Sequence, residues 1–327
     1  MTEVASSRRP ARLRSSADAG LLGQAKNMRW RDGRNSLRRK TRKFQPYFYV
    51  LPGLIYIFAT TIIPLVYSFK TSLMDDRRTS PGGPHFVGVD NYTGIFQSSS
   101  FWNSLRVTLL YTGGTVFLEM LIGTILALIL VKLRRGRKLS RVLFVIPFSL
   151  PPVVVGLMYL LILDRGNGIL NYLLSWLGVD PVSWLGDPSI ALWTIIGIDI
   201  WQWTPFVIIS ALAALESMPG DVLEAAVVDG ATPRQLLRWI VLPLIKPVLL
   251  IVALTRALTS LKVFDIIFVL TGGGPGGATE TLSYGVYANA FEKFDFGYSS
   301  ALSWLLILLA MIVAIPLVRS VLKSDNS

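Results

Sequence analysis

The chain has 327 residues, 52% of them hydrophobic, with a formal net charge of +12 and a mean hydropathy of +0.53. The absence of cysteine excludes disulfides, thiol catalysis and cysteine metal sites, and the single histidine, His85, reads as a solvated loop residue. The apolar residues are bunched in runs of about 20, enough to cross a hydrocarbon core of ~30 Å, so the expectation is an all-α polytopic membrane protein rather than a β-barrel, whose short alternating segments are missing.

Residues 1–46 form a basic arm with thirteen lysines and arginines. It reads as a topology-enforcing segment that touches anionic lipid, not as a nucleic-acid-binding module or a cleavable signal peptide. About six spans follow, at roughly 47–69, 107–131, 142–163, 191–214, 247–270 and 299–318, before a tail, 319–327. Pro64, Pro147, Pro151 and Pro152 predict kinks or broken turns. The loop 131–141 holds six cationic residues, the loop 215–246 holds Arg234, Arg238 and Lys246, and the tail holds Arg319 and Lys323. The loops 70–106, 164–190 and 271–298 hold only six among them. This bias places both termini in the cytoplasm. No GxxxxGK[ST] occurs, and GGGPGG at 272–277 lacks the lysine of a phosphate-binding loop.

The loop 215–246 carries a local pattern. Ser217 as cap and Pro219 in the first turn predict a short helix, with Asp221 and Glu224 near its positive end. Gly230 predicts a left-handed stop. Thr232, Pro233 and Gln235 predict a capping box that opens a second helix, ended by Pro243. Ala225 and Ala226 leave a small surface for close approach, and Val222, Val227 and Val228 add apolar contacts.

The residues Glu224-Ala225-Ala226, Asp229-Gly230-Ala231, Ile240 and Leu242-Pro243 resemble the EAA loop of ABC importer permeases, with Leu237 where that family often has phenylalanine. FDIIFVLTGGGPGGATETLSYGVYANAF downstream and YVLPGLIYIFATTIIPLVYSF upstream resemble its carbohydrate branch, the maltose-type and glycerol-phosphate-type permeases. The resemblance covers about 47–318. It implies the type I ABC importer permease fold and a non-enzymatic subunit that binds no cofactor. It also implies a second homologous permease, two ATP-binding cassette subunits that hold ATP-Mg, and an extracytoplasmic sugar-binding protein. Glu224, Ala225, Ala226, Asp229, Gly230 and Ala231 would then couple ATP hydrolysis to the spans.

Glu119, Asp199, Arg256, Lys262 and Asp265 fall inside predicted spans, where a charge at the membrane centre costs at least ~2.5 kcal/mol. Such residues pair or line a path. Asp199 with Arg256 or Lys262 is expected as an interhelical ion pair. Resemblance to the maltose-type permease also makes Asp199, Trp203, Phe206, Arg256 and Ser260 candidates for the sugar path, with Trp203 and Phe206 offering faces for ring stacking. Two rivals are a secondary transporter, using Asp199 or Glu119 as a proton or sodium site, and a membrane enzyme. The first leaves the EAA loop unexplained, and the second has no nucleophile–base set.

Overall fold

The computed structural model describes residues 49–78, 82–133 and 144–325. The basic arm and most of the loop 131–141 lie outside the described residues. Contacts divide the chain into two units at Tyr67.

The first helix, α1 (Tyr49–Ser72), runs unbroken through Pro64. A proline removes one ladder bond, and an apolar helix keeps the rest. None of residues 49–67 is buried in the first unit.

In the second unit, two short antiparallel strands, β1 (Met74–Asp75) and β2 (His85–Phe86), precede α2 (Asp90–Gln97) and α3 (Ser99–Lys132). His85 lies exposed in β2 with Nδ1 3.2 Å from the Gly83 carbonyl. α3 begins earlier than the predicted second span. The predicted third span is split into α4 (144–149) and α5 (Pro152–Ile162). The break falls at Leu150–Pro151, where the prolines predict it. The Gln202 amide donates to the Leu150 carbonyl at 2.9 Å, which satisfies a backbone group freed at the break.

α6 (Ile169–Ser175) leads to α7 (Ala191–Glu216), the fourth span. Then come α8 (Gly220–Val228), α9 (Pro233–Leu261), α10 (Asp265–Leu270), α11 (Leu282–Tyr287) and α12 (Phe296–Asp325). Among the described residues five helices, α1, α3, α7, α9 and α12, are long and apolar enough to cross a membrane, and the shorter α5 is apolar as well. α12 continues beyond residue 318, so the predicted tail extends the last span as a helix as far as Asp325.

Two predicted ends move. Pro243 does not stop the second loop helix: the helix continues to Leu261 through a widened turn, Leu236–Val241, in which the Leu242 N–H reaches back to the Leu237 carbonyl. A wider turn relieves the clash between a proline ring and the carbonyl one turn earlier. The fifth span, expected to run to 270, ends at Leu261, and the chain restarts as α10 at Asp265.

Among the described residues three apolar clusters hold the second unit together. One joins Tyr111, Ile195, Ile196 and Ile267. A second, at the end that carries α8, joins Ala127, Ile208, Leu212, Leu215 and Ile245. A third joins Ile95, Phe101, Leu282 and Leu302. α3 and α7 approach closely at Gly123, where an added Cβ would sit 2.6 Å from Val207 Cβ. Small residues permit such approach where lipid supplies no hydrophobic drive. Arg77 ties the strand region to the start of α12 through Asp295 at 2.8 Å.

Candidate functional site

Two features carry chemistry: the hairpin around α8 and a buried knot of charge between α3, α7 and α9.

The hairpin is built by local rules. Pro219 takes the N-cap position, with extended ψ of 122°, and Asp221 lies in the first turn. Ser217, expected to cap α8, instead closes α7, and its hydroxyl donates to the Ala214 carbonyl at 2.9 Å. A helix whose first turn is set by proline needs no hydroxyl there. At the other end Gly230 has φ +80°, with its N–H on the Val227 carbonyl and the Ala231 N–H on the Ala226 carbonyl. This pair of bonds is a Schellman stop. Thr232 and Gln235 form the predicted capping box, with Thr232 N–H donating to Gln235 Oε1 at 2.8 Å and Pro233 in the first turn.

The hairpin is anchored by Met218, Leu223 and Leu236, which pack on the Leu212–Leu215–Ile245 cluster. Its other face is open. No residue of α8 is buried, Val227 is 61% and Val228 87% exposed, and Glu224, Ala225, Asp229 and Gly230 are exposed beside half-buried Ala226 and Ala231.

The charge knot has Arg256 at its centre. Glu119, on α3, accepts from Arg256 Nε at 2.6 Å and from Nη2 at 2.8 Å. Asp199, on α7, accepts from Nη2 at 2.8 Å. Nη1 donates to Thr259 Oγ1 at 3.0 Å, and Nη2 reaches Ser260 Oγ at 3.2 Å. The Ser260 hydroxyl lies 3.3 Å from that of Thr115, back on α3. The guanidinium carbon sits 4.3 Å from the centroid of the Trp203 ring. Arg256, Glu119 and Asp199 are 2%, 0% and 5% exposed. In a low-dielectric interior, isolated charges are costly, so a fork of donors that meets two carboxylates and two hydroxyls is the arrangement that tolerates burial.

The helical period explains the assembly. Asp199, Trp203 and Phe206 share one face of α7, and Arg256 and Ser260 share one face of α9. Tyr111, Thr115, Glu119 and Gly123 recur every four residues along the buried side of α3. The structure therefore brings Asp199, Trp203, Arg256 and Ser260 around one guanidinium. Phe206 joins indirectly: Phe148 stacks on it at 5.6 Å and meets Trp203 edge-on at 5.4 Å.

Lys262 does not belong to this group. It caps the end of α9, is exposed, and among the described residues has no carboxylate at ion-pair distance. The sequence places it at a depth matching Asp199 because the fifth span is read as continuous to 270, whereas the helix ends one residue earlier. Asp265, exposed, opens α10. Sequence reasoning missed Glu119 as the bidentate partner and Phe148 as the ring between Trp203 and Phe206. The available signal was that an arginine forks and that Glu119 is a second acid with no other cation in its span.

The apolar helices make the chain an integral membrane protein, and its likeness to solved transporters and to a family model gives it the type I ABC importer permease fold. The architecture is similar to a chain in the crystal structure of a bacterial ABC transporter involved in import of the acidic polysaccharide alginate, with a TM-score of 0.76 at 24% identity over 86% of this chain and 96% of that one. The chain belongs to the family described as binding-protein-dependent transport system inner membrane component, whose model matches residues 119–323. It is 39% identical to the trehalose/maltose transport system permease protein MalF of Thermococcus litoralis over 81% of this chain and 89% of that protein. It is 38% identical to the probable ABC transporter permease protein y4oQ of Sinorhizobium fredii over 86% and 91%. The chain is thus a multi-pass permease subunit, which sets aside the secondary-transporter and membrane-enzyme readings.

Proposed function

We propose that this subunit forms half of the translocation path of an ATP-driven importer for a sugar or sugar derivative, paired with a second homologous permease. Two separate ATP-binding cassette subunits supply hydrolysis, and an extracytoplasmic binding protein delivers the substrate. The sugar assignment is supported by the likeness to a trehalose/maltose permease. Both termini and the hairpin lie in the cytoplasm, in keeping with the lysine and arginine bias of the loops.

The observation that carries the reading is the open face of the hairpin. The hairpin is fixed at its base by Leu223 and Leu236, yet among the described residues Glu224, Ala225, Val227 and Val228 are left exposed. An apolar, small-residue surface with one acid is a seat for another protein. The ATPase subunit is that protein: Glu224 through Ala231 form a plug that transmits ATP-driven closure to α7 and α9, the spans that flank the hairpin. Asp199, Arg256 and Ser260 are committed to the ion network, so half-buried Trp203, which covers the guanidinium, and half-buried Phe206 are the members of the predicted sugar-path set that remain to meet a sugar.

The test is Glu224→Lys, which replaces an acid by a cation at the proposed seat without touching the ion network. The variant should reach normal membrane levels but fail to retain the ATPase subunits in a pull-down, and lose uptake and substrate-stimulated ATP hydrolysis. Normal uptake at normal membrane levels would refute the coupling role.

A further inference from the structure

A groove of about 740 Å³ lies at the hairpin end, between the first half of α9 and the last turns of α12. Its walls include Trp239, Leu244 and Pro247, and its polar lining is Lys246, Ser320 and Lys323. Both lysines are exposed, and among the described residues neither has a carboxylate partner. Trp239 is 69% and Leu244 46% exposed, and the Arg238 guanidinium lies 5.4 Å from the centroid of the Trp239 ring.

The position of the cations is informative. Lys246 immediately precedes the charge-free run 247–255, and Lys323 follows the charge-free run 296–318 by one turn of helix. Both therefore stand where a spanning helix leaves hydrocarbon, with an indole beside them of the kind that favours the headgroup level. A single ligand chemistry satisfies all of this: a phosphate diester held between two ammonium groups, joined to an apolar chain that lies along Leu244 and Pro247. A free phosphate would leave the apolar wall wet.

We infer that this groove is a binding site for an anionic phospholipid of the phosphatidylglycerol type, held by Lys246 and Lys323 next to the α8 hairpin. With the orientation proposed above, the site faces the cytoplasmic leaflet, where anionic lipid draws basic residues close to the surface. Because α9 carries both this groove and Arg256, a lipid seated here braces the segment that links the hairpin to the ion network.

The test uses the assembled transporter in nanodiscs of phosphatidylcholine with a graded fraction of phosphatidylglycerol in both leaflets, so it does not depend on orientation. Bound lipid is read by native mass spectrometry. Wild type should retain phosphatidylglycerol through delipidation. Lys246→Gln combined with Lys323→Gln should bind it roughly 30-fold more weakly, as expected for two cations lost. Lys293→Gln should change nothing, and arginine at both positions should preserve binding. A photo-cross-linking residue in place of Leu244 should give lipid adducts. Equal retention in the double glutamine variant would overturn the proposal. So would cross-links from position 244 to the ATPase subunit alone, or displacement of the lipid by inorganic phosphate, which would show a protein seat or a free-anion site instead.

Discussion

Arg256→Ala removes the one cation from a site that holds two carboxylates. The guanidinium makes bonds of 2.6, 2.8 and 2.8 Å to Glu119 and Asp199, both essentially inaccessible to solvent. Breaking a buried pair by removing one partner costs about 3–5 kcal/mol, because the partner's charge stays behind without compensation. Here two acids are stranded, and the contact with Trp203 is lost too, so the upper end of that range applies. For a protein of this size the loss corresponds to an apparent melting temperature lower by on the order of 10 °C. The assay is thermal denaturation of the purified complex together with membrane levels of the subunit. A second variant separates pairing from mere disruption: Glu119→Leu, Asp199→Leu and Arg256→Met together replace the triad by apolar side chains, and such replacement is often close to neutral. The triple variant should recover much of the stability that Arg256→Ala loses. Wild-type stability in Arg256→Ala would refute the claim that the triad ties α3, α7 and α9 together. A triple variant as unstable as the single one would refute the electrostatic explanation.

Gly230→Val places a β-branched residue at φ +80° and should strain the hairpin by about 1–3 kcal/mol. Membrane insertion should persist while uptake falls, and full uptake would mean that the Schellman stop does not aim the hairpin. Single cysteines at positions 15, 90, 136 and 278, introduced into a chain that has none of its own, should react with an impermeant thiol reagent in intact spheroplasts only at 90 and 278. Labelling at 136 would reverse the assigned orientation.

The sequence alone determined whatever depends on neighbours along the chain. Length and hydropathy set the number of spans, because the bilayer demands about 20 apolar residues from each. The Thr232–Gln235 capping box and the left-handed Gly230 were legible because their partners lie three or four residues away. The break at Leu150–Pro151 was legible because proline acts on its own turn. Helix ends were less so: Pro243 lies in a helix that continues, since a widened turn absorbs the ring, and Ser217 serves the helix before it rather than the one after. The pairing of charges was decided only by tertiary structure. The period of each helix shows which residues share a face, but not how three helices are rotated against one another. Arg256 and Lys262 read as equal partners for Asp199 until the end of α9 left Lys262 exposed and the rotation of α3 brought Glu119 to the same guanidinium.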